Sequence, residues 1–373
     1  MRFALGHTTI LLGTALALAL PPVDSFAIGV DFKGRVQSTF VLRDNNGFQN
    51  GVMDKAEGVQ WRNELKFDVE ITPEYPTGKP PVRLEKFYLV YRGAYDAIFD
   101  VRQDRFSTVR EKSPDDFEYG RDDLKWENDL REAFVDFRGE WGQSVADLRI
   151  GRQVVQWGEA DGFNLMNIVN PQDNRFLMFF DNPEDLANPL WMGKLELTRN
   201  QVGPFHSIGL QLLAIPDVRP NIFAPLDGTY DAPYAFFFKG LQGLTIKEDV
   251  PSSNLDNMEY GARLGASWAD STAFLYYFKG IQDAGVLDLS TAATGTVYFK
   301  HPETKTYGAS FNTFLDSVNA VFRGEASYTD GQNFADMGDF GPGGKMRGYS
   351  EHDYYQALLG IDKDFTNVKL GTN

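Results

Sequence analysis

Residues 60–71 read QWRNELKFDVEI. Gln60, Arg62, Glu64, Lys66, Asp68 and Glu70 are polar, Trp61, Leu65, Phe67, Val69 and Ile71 are apolar, and Asn63 alone breaks the alternation. Successive side chains on a strand point to opposite faces, so this stretch predicts a strand with one apolar and one charged face. A helix would mix the two sets. On the N-terminal side Phe32, Gly34, Val36, Phe40 and Leu42 oppose Lys33, Arg35, Gln37, Thr39 and Arg43 in the same way. Further along, Trp191, Leu195 and Leu197 oppose Lys194, Glu196 and Thr198, while Val318, Ala320, Phe322, Ala326 and Tyr328 oppose Asn319, Arg323, Glu325 and Ser327. Turn-forming residues such as Asn45-Asn46-Gly47, Asp227-Gly228, Asp330-Gly331 and Gly341-Pro342-Gly343-Gly344 separate these runs. No strand alternates with an amphipathic helical pattern, which argues against a parallel βαβ sheet. The chain reads as all-β and antiparallel.

A soluble sandwich also alternates, so the architecture turns on charge and length. The first two strands carry charge along most of one face, and runs of about nine to eleven residues suit a tilted membrane crossing better than a soluble strand. Phe32, Trp61, Trp268, Phe278 and Tyr328 lie near strand ends, where they would form interfacial girdles. The expectation is a transmembrane β-barrel. Alternating runs near residues 32, 60, 83, 131, 147, 190, 205, 259, 272, 296, 307, 318 and 354, with the even strand number of bacterial barrels, predict about fourteen strands in one domain over residues 28–373.

Residues 1–27 carry Arg2, an apolar run over residues 10–20, and Ser25-Phe26-Ala27. This is the form of a secretory signal peptide, and it predicts cleavage after Ala27. Beyond it no apolar run is long enough for a membrane helix. An exported chain of this pattern is expected in the outer membrane, in contact with its lipid. The 52 acidic against 36 basic residues, a net charge of −16, argue against nucleic acid as a partner. A 42% hydrophobic and 14% aromatic content excludes disorder, and the absence of cysteine removes thiolate metal sites and thiol nucleophiles. His206, His301 and His352 are scattered and form no metal or hydrolase motif, so no cofactor, metal or catalytic residue is expected. A membrane hydrolase stays open as an alternative because such triads are defined by geometry.

Gly151, Arg152, Gln153, Trp157 and Gly158, followed by Asn170, Pro171 and Asp173, resemble a family of large Gram-negative outer-membrane proteins known only as a domain of unknown function. Val169 splits the Ile-Asn step of that pattern. The resemblance covers roughly the first 200 residues. It implies a porin-like barrel for small solutes or hydrophobic compounds, with periplasmic components of an RND-type lipid or efflux exporter as partners. Family members are longer, and outer-membrane barrels commonly end on an aromatic residue, whereas this chain ends Lys369-Leu370-Gly371-Thr372-Asn373. The expectation is a fragment without its closing strands.

Arg35, Arg62, Glu64, Lys66 and Asp68 would make a wet, mixed-charge wall, either open to solutes or filled by its own salt bridges as a plugged adaptor. Arg149, Gln153 and Trp157 share a face, while Arg152 falls on the side of Ile150. An arginine facing lipid at mid-depth costs about 2–4 kcal/mol, so a bulge near Gly151 is expected to turn both arginines inward. There they would pair with Asp161 or Asp173, or meet an anionic solute. Residues 158–189 lack alternation. Asn170-Pro171 and Asn182-Pro183 suggest two helical turns, and Asn170, Pro171, Asp173 and Asp181 are candidates for a constricting loop. That segment, with its apolar residues 176–180, either folds into the lumen or lies over the rim. Asp115-Asp116, Glu118, Asp122-Asp123, Glu127 and Asp129 read as a solvated acidic loop.

Overall fold

The structure is a computed structural model that describes residues 27–44, 56–75, 78–106, 121–158, 165–175, 186–222, 244–336 and 347–363. The predicted signal peptide, Asp161, residues 176–180, Asp181, Asn182-Pro183 and the C-terminal residues 369–373 lie outside them. In chain order the strands are β1 (Ala27–Asp44), β2 (Ala56–Glu74), β3 (Val82–Asp96), β4 (Trp126–Trp141), β5 (Ser144–Gln153), β6 (Leu190–Val202), β7 (Phe205–Ile215), β8 (Thr245–Asp249), β9 (Glu259–Trp268), β10 (Ser271–Ile281), β11 (Val286–Asp288), β12 (Thr296–Lys300), β13 (Glu303–Leu315), β14 (Ala320–Ala335) and β15 (Tyr349–Asp362). Twelve of them form one antiparallel sheet, ordered β1-β2-β3-β4-β5-β6-β7-β9-β10-β13-β14-β15. Strands adjacent in that sheet are joined almost throughout as sequential hairpins.

Among the described residues, twelve of the thirteen alternating runs enter this sheet, and the fourteenth strand expected from an even count is not among them. The alternating run near residue 296 is β12, which pairs with β11 and β8 in a separate three-stranded sheet. Its five residues are too few for a crossing of about nine to eleven.

The two faces of the large sheet have inverted polarity. On β2, Arg62 and Glu64 are only 7% and 8% exposed, whereas Trp61 and Leu65 beside them are 39% and 46% exposed. Val30, Phe32, Val36 and Phe40 on β1 and Leu359 and Ile361 on β15 are exposed likewise. A sandwich would bury that apolar face against a second sheet. Here the charged face is the enclosed one, the arrangement of a barrel whose outside meets lipid. The fold is therefore an all-β, antiparallel transmembrane barrel sheet.

Connections alternate in length. Residues 75–81, 142–143, 203–204, 269–270 and 316–319 close hairpins at one end, with Gly142 and Gly203 supplying left-handed turn positions at φ 61° and 59°. Residues 45–55, 97–125, 154–189, 216–258, 282–302 and 336–348 form the connections at the other. Short turns on one rim and long loops on the opposite rim are the asymmetry of outer-membrane barrels.

At the long-loop end the outer face carries a run of tyrosines. Tyr260, Tyr277, Tyr307, Tyr328 and Tyr355 follow one another across β9, β10, β13, β14 and β15, with ring centroids 6.1, 5.1, 6.2 and 4.9 Å apart. Phe40 meets Trp61 edge-on, and Tyr95 lies against Trp126. Amphipathic rings at one level form an interfacial belt. Phe278, expected in a girdle, instead points inward and is buried against Trp157. The run FLYYFK over residues 274–279 has aromatics on both faces, and Phe274, Tyr276 and Phe278 take the inner one.

Candidate functional site

Period-two alternation aims the charged side chains of β2, β3 and β4 at the same interior space. Glu127, at the start of β4, accepts from Arg62 of β2 through Oε2 and from Arg92 of β3 through Oε1, the latter at 2.8 Å. The guanidinium of Arg175 stands 3.7 Å from the same carboxylate and grips Asp173 with Nε and a terminal nitrogen, at 2.9 and 2.5 Å. One carboxylate thus faces three guanidiniums. Next to it Asp129 holds Arg152 at 3.1 Å and Arg131 at 3.7 Å, and Arg131 donates to the Ala187 carbonyl at 2.7 Å. A cavity of about 360 Å³ opens between Glu127, Asp129, Arg152, Arg175 and Arg219.

Towards the short turns a second charged wall begins. Arg149 makes a two-point contact with Asp136 at 2.7 and 2.8 Å, its guanidinium 3.7 Å above the Phe134 ring. Lys86 reaches Glu70 at 3.1 Å. With Asp147, Lys194 and Glu196 these groups line a cavity of about 420 Å³. On β2, Glu64 accepts from Arg35 at 2.9 Å, and Lys66 and Asp68 continue the inner face, in register with Arg92 and Val90 of β3.

Residues 154–158 and 165–175 turn into the interior. Trp157, 1% exposed, packs with Met166, Val169, Leu213, Ile215, Tyr276 and Phe278. Its indole donates to Gln211 Oε1 at 2.6 Å, and its carbonyl accepts from the Tyr276 hydroxyl at 3.1 Å. Four residues carry the chain from the end of β5 to β10, a distance of four inter-strand steps or about 19 Å along the sheet. That reach follows the chord of a curled sheet. Asn170 holds the return: it accepts from Val155 N–H at 2.7 Å and donates to the Asn188 and Gln153 carbonyls at 2.8 and 3.3 Å. Gln153 is fully buried and donates to the Met192 carbonyl at 3.3 Å.

Three expectations change at this point. Asn170-Pro171 starts no helix; Pro171 accepts from Asn188 N–H at 2.7 Å, and Gln172 bridges to Ala187, so two extended stretches lie side by side. Arg149 and Arg152 pair with Asp136 and Asp129 rather than with Asp173, which Arg175 occupies. Gly151 forms no bulge, because β5 pairs continuously through it with β4 and β6. The bulge lies on β4 at Arg131, where the register with β3 skips a residue. Gly151 nonetheless needs to be glycine. Its φ is +142°, and a Cβ would stand 2.2 Å from the Ala133 carbonyl oxygen and 2.6 Å from Phe134 Cα. Gly151→Ala should therefore destabilise the fold by about 1–3 kcal/mol. Urea unfolding in detergent measures this, and an unchanged midpoint would contradict the close strand approach.

Glu127, Asp129, Arg92 and Arg175 escaped the sequence reading. The first two sit in an acidic run whose composition is that of a solvated loop, yet Glu127, Asp129 and Arg131 share a period of two up to the bulge at Arg131. Arg175 is placed by long-range packing and carries no local pattern. Asp181 lies outside the described residues, while Pro171 and Asp173 flank the inward segment.

Residues 8–372 match the family described as "Protein of unknown function (DUF1302)". No curated protein matches. Similar solved structures include Acinetobacter baumannii OccAB3, with 10% identity and a TM-score of 0.41 over 90% of this chain and 63% of that one. Salmonella typhi OmpF in complex with daunomycin has 8% identity and a TM-score of 0.25 over 89% and 85%. OmpT, an outer membrane protein of Vibrio cholerae, has 10% and 0.24 over 91% and 98%. The chain thus spans less than two thirds of the OccAB3 structure.

Proposed function

The chain belongs to the family described as Protein of unknown function (DUF1302), and from that premise we propose that it is an outer-membrane channel whose charged interior passes small polar solutes. The observation that carries this reading is the inversion of polarity across a single sheet: apolar side chains outside, and Arg62, Glu64, Lys66, Arg149 and their partners within. An apolar exterior places the sheet in lipid, and a charged interior that still encloses cavities of about 420 and 360 Å³ holds water. The export signal over residues 1–27 and the asymmetry of turns and loops support the outer membrane as the location. Coupling to a periplasmic RND-type exporter belongs to the same proposal, with the short-turn rim as the side that faces such a partner.

Fixed charges in a narrow aqueous path set ion preference. Lys66→Glu combined with Lys194→Glu reverses two inner-wall charges. In planar bilayers under a KCl gradient, the reversal potential should move towards cation preference. A potential identical to that of the wild-type protein would remove these residues from the conducting wall. A second reading, a plugged adaptor barrel, is favoured by the density of ion pairs around Glu127. It predicts a folded barrel with no conductance above leak.

A further inference from the structure

The inner wall differs between its two halves. On β2–β6 it is charged, as described above. On β13 and β14 the buried polar positions are Thr304, Thr306, Ser310, Ser327, Thr329 and Asn333, interrupted by Glu325, and β15 adds Tyr354 and Gln356. Between this wall and the inward segment lies a third cavity of about 280 Å³, separate from the arginine cluster. From the segment side it meets the amides of Asn167, Asn170 and Gln172, with Asn221 beside them. Its aromatic surfaces are Phe278 and Tyr354, and its one carboxylate is Asp283.

We propose that this cavity is a binding site for an uncharged polyhydroxylated solute, of the size and chemistry of a single sugar, taken up on its way through the channel. The proposal rests on the channel reading for its physiological role and on the cavity lining for its chemistry. Amide and hydroxyl groups both donate and accept, so they exchange a polyol's hydrogen bonds to water nearly one for one. An ion entering the same space would lose its hydration and find no opposite charge fixed there. Asp283 does not make the cavity anionic in the ordinary way, because burial, and after it the Glu259 carboxylate, raise its carboxyl well above the usual range. The flat rings offer apolar surface for the C–H face of a pyranose, and a volume just under the usual small-molecule range limits the occupant to about one ring.

The hydroxyls of Thr306 and Thr329 hydrogen-bond to each other at 3.0 Å. Replacing both with valine removes the pair while keeping its shape, a change that a fold tolerates well. The experiment titrates glucose and glucuronate, which differ by one carboxylate, against the full-length protein in detergent. Intrinsic tryptophan fluorescence is the readout, since Trp157 abuts Phe278 at the cavity wall. Saturable glucose binding is expected, with glucuronate at least about tenfold weaker, and about tenfold weaker glucose binding in Thr306→Val/Thr329→Val. Gln356→Leu, on a different strand, should weaken it in the same direction and serves if the double variant loses its heat-modifiable gel migration. Equal affinity for both ligands, no saturable glucose binding, or binding indifferent to these substitutions would each overturn the assignment. Conductance separates the two claims. A conducting barrel without glucose binding removes the site and leaves the channel, whereas glucose binding without conductance keeps the site and removes the channel.

Discussion

Glu127→Ala should destabilise the folded barrel by about 3–5 kcal/mol, the magnitude seen when one partner of a buried ion pair is removed. The side chain is 5% exposed and faces Arg62, Arg92 and Arg175. Without it three guanidiniums confront one another across the space it filled, while Asp173 stays on Arg175 and Glu64 lies 3.9 Å from Arg62. Water from the adjacent cavity of about 360 Å³ relieves part of that repulsion, which places the effect at the lower end of the range. Glu127→Gln keeps the volume and removes the charge, so it should lose most of the same stability. Ion selectivity should move towards anions in both variants. Urea unfolding in detergent reads the first effect and the reversal potential the second. A loss under about 1 kcal/mol would mean that the arginines are held by other groups and that Glu127 is not the hub of the cluster.

Trp157→Ala should cost about 3–5 kcal/mol and, by releasing the inward segment, raise single-channel conductance. The indole is enclosed by residues from β7, β9 and β10, and its N–H closes on Gln211. Removing it leaves a large void and an unpaired Gln211 acceptor, and the inward segment keeps only backbone contacts there, such as that from the Tyr276 hydroxyl to the residue 157 carbonyl. Trp157→Phe retains most of the apolar contact and loses the hydrogen bond, a smaller effect of about 1–2 kcal/mol. The alanine variant should also show noisier current, because the segment then samples several positions. Conductance equal to wild type in a variant confirmed to be destabilised would show that residues 154–158 and 165–175 pack inside the sheet without narrowing the solute path.

Much of this architecture is legible from alternation. Residues 60–71 assign Arg62, Glu64, Lys66 and Asp68 to one face, and the structure turns that face inward from Arg62 to Glu70. Alternation does not distinguish a crossing strand from a loop strand, which is why TVYFK of β12 resembles a barrel strand and belongs to another sheet. Nor does it orient a segment that has aromatics at consecutive positions. Tyr277 and Phe278 take opposite faces because Trp157, distant in sequence, offers an apolar partner on the inside alone. Glu127 was obscured by composition: several carboxylates precede it, and the three arginines that enclose it come from β2, β3 and the inward segment. Gly151 was recognised as special, but the reason is a neighbouring backbone 2.2 Å from where its Cβ would stand rather than a break in pairing. These features depend on which strands become neighbours, a property of the whole sheet and not of any local run.

The most direct test of the account is the conductance of the full-length protein, purified from outer membranes and shown by heat-modifiable migration to be folded, in planar lipid bilayers. The account predicts discrete current steps, with an ion preference that Lys66→Glu/Lys194→Glu shifts towards cations. A folded barrel that never conducts above leak would contradict it.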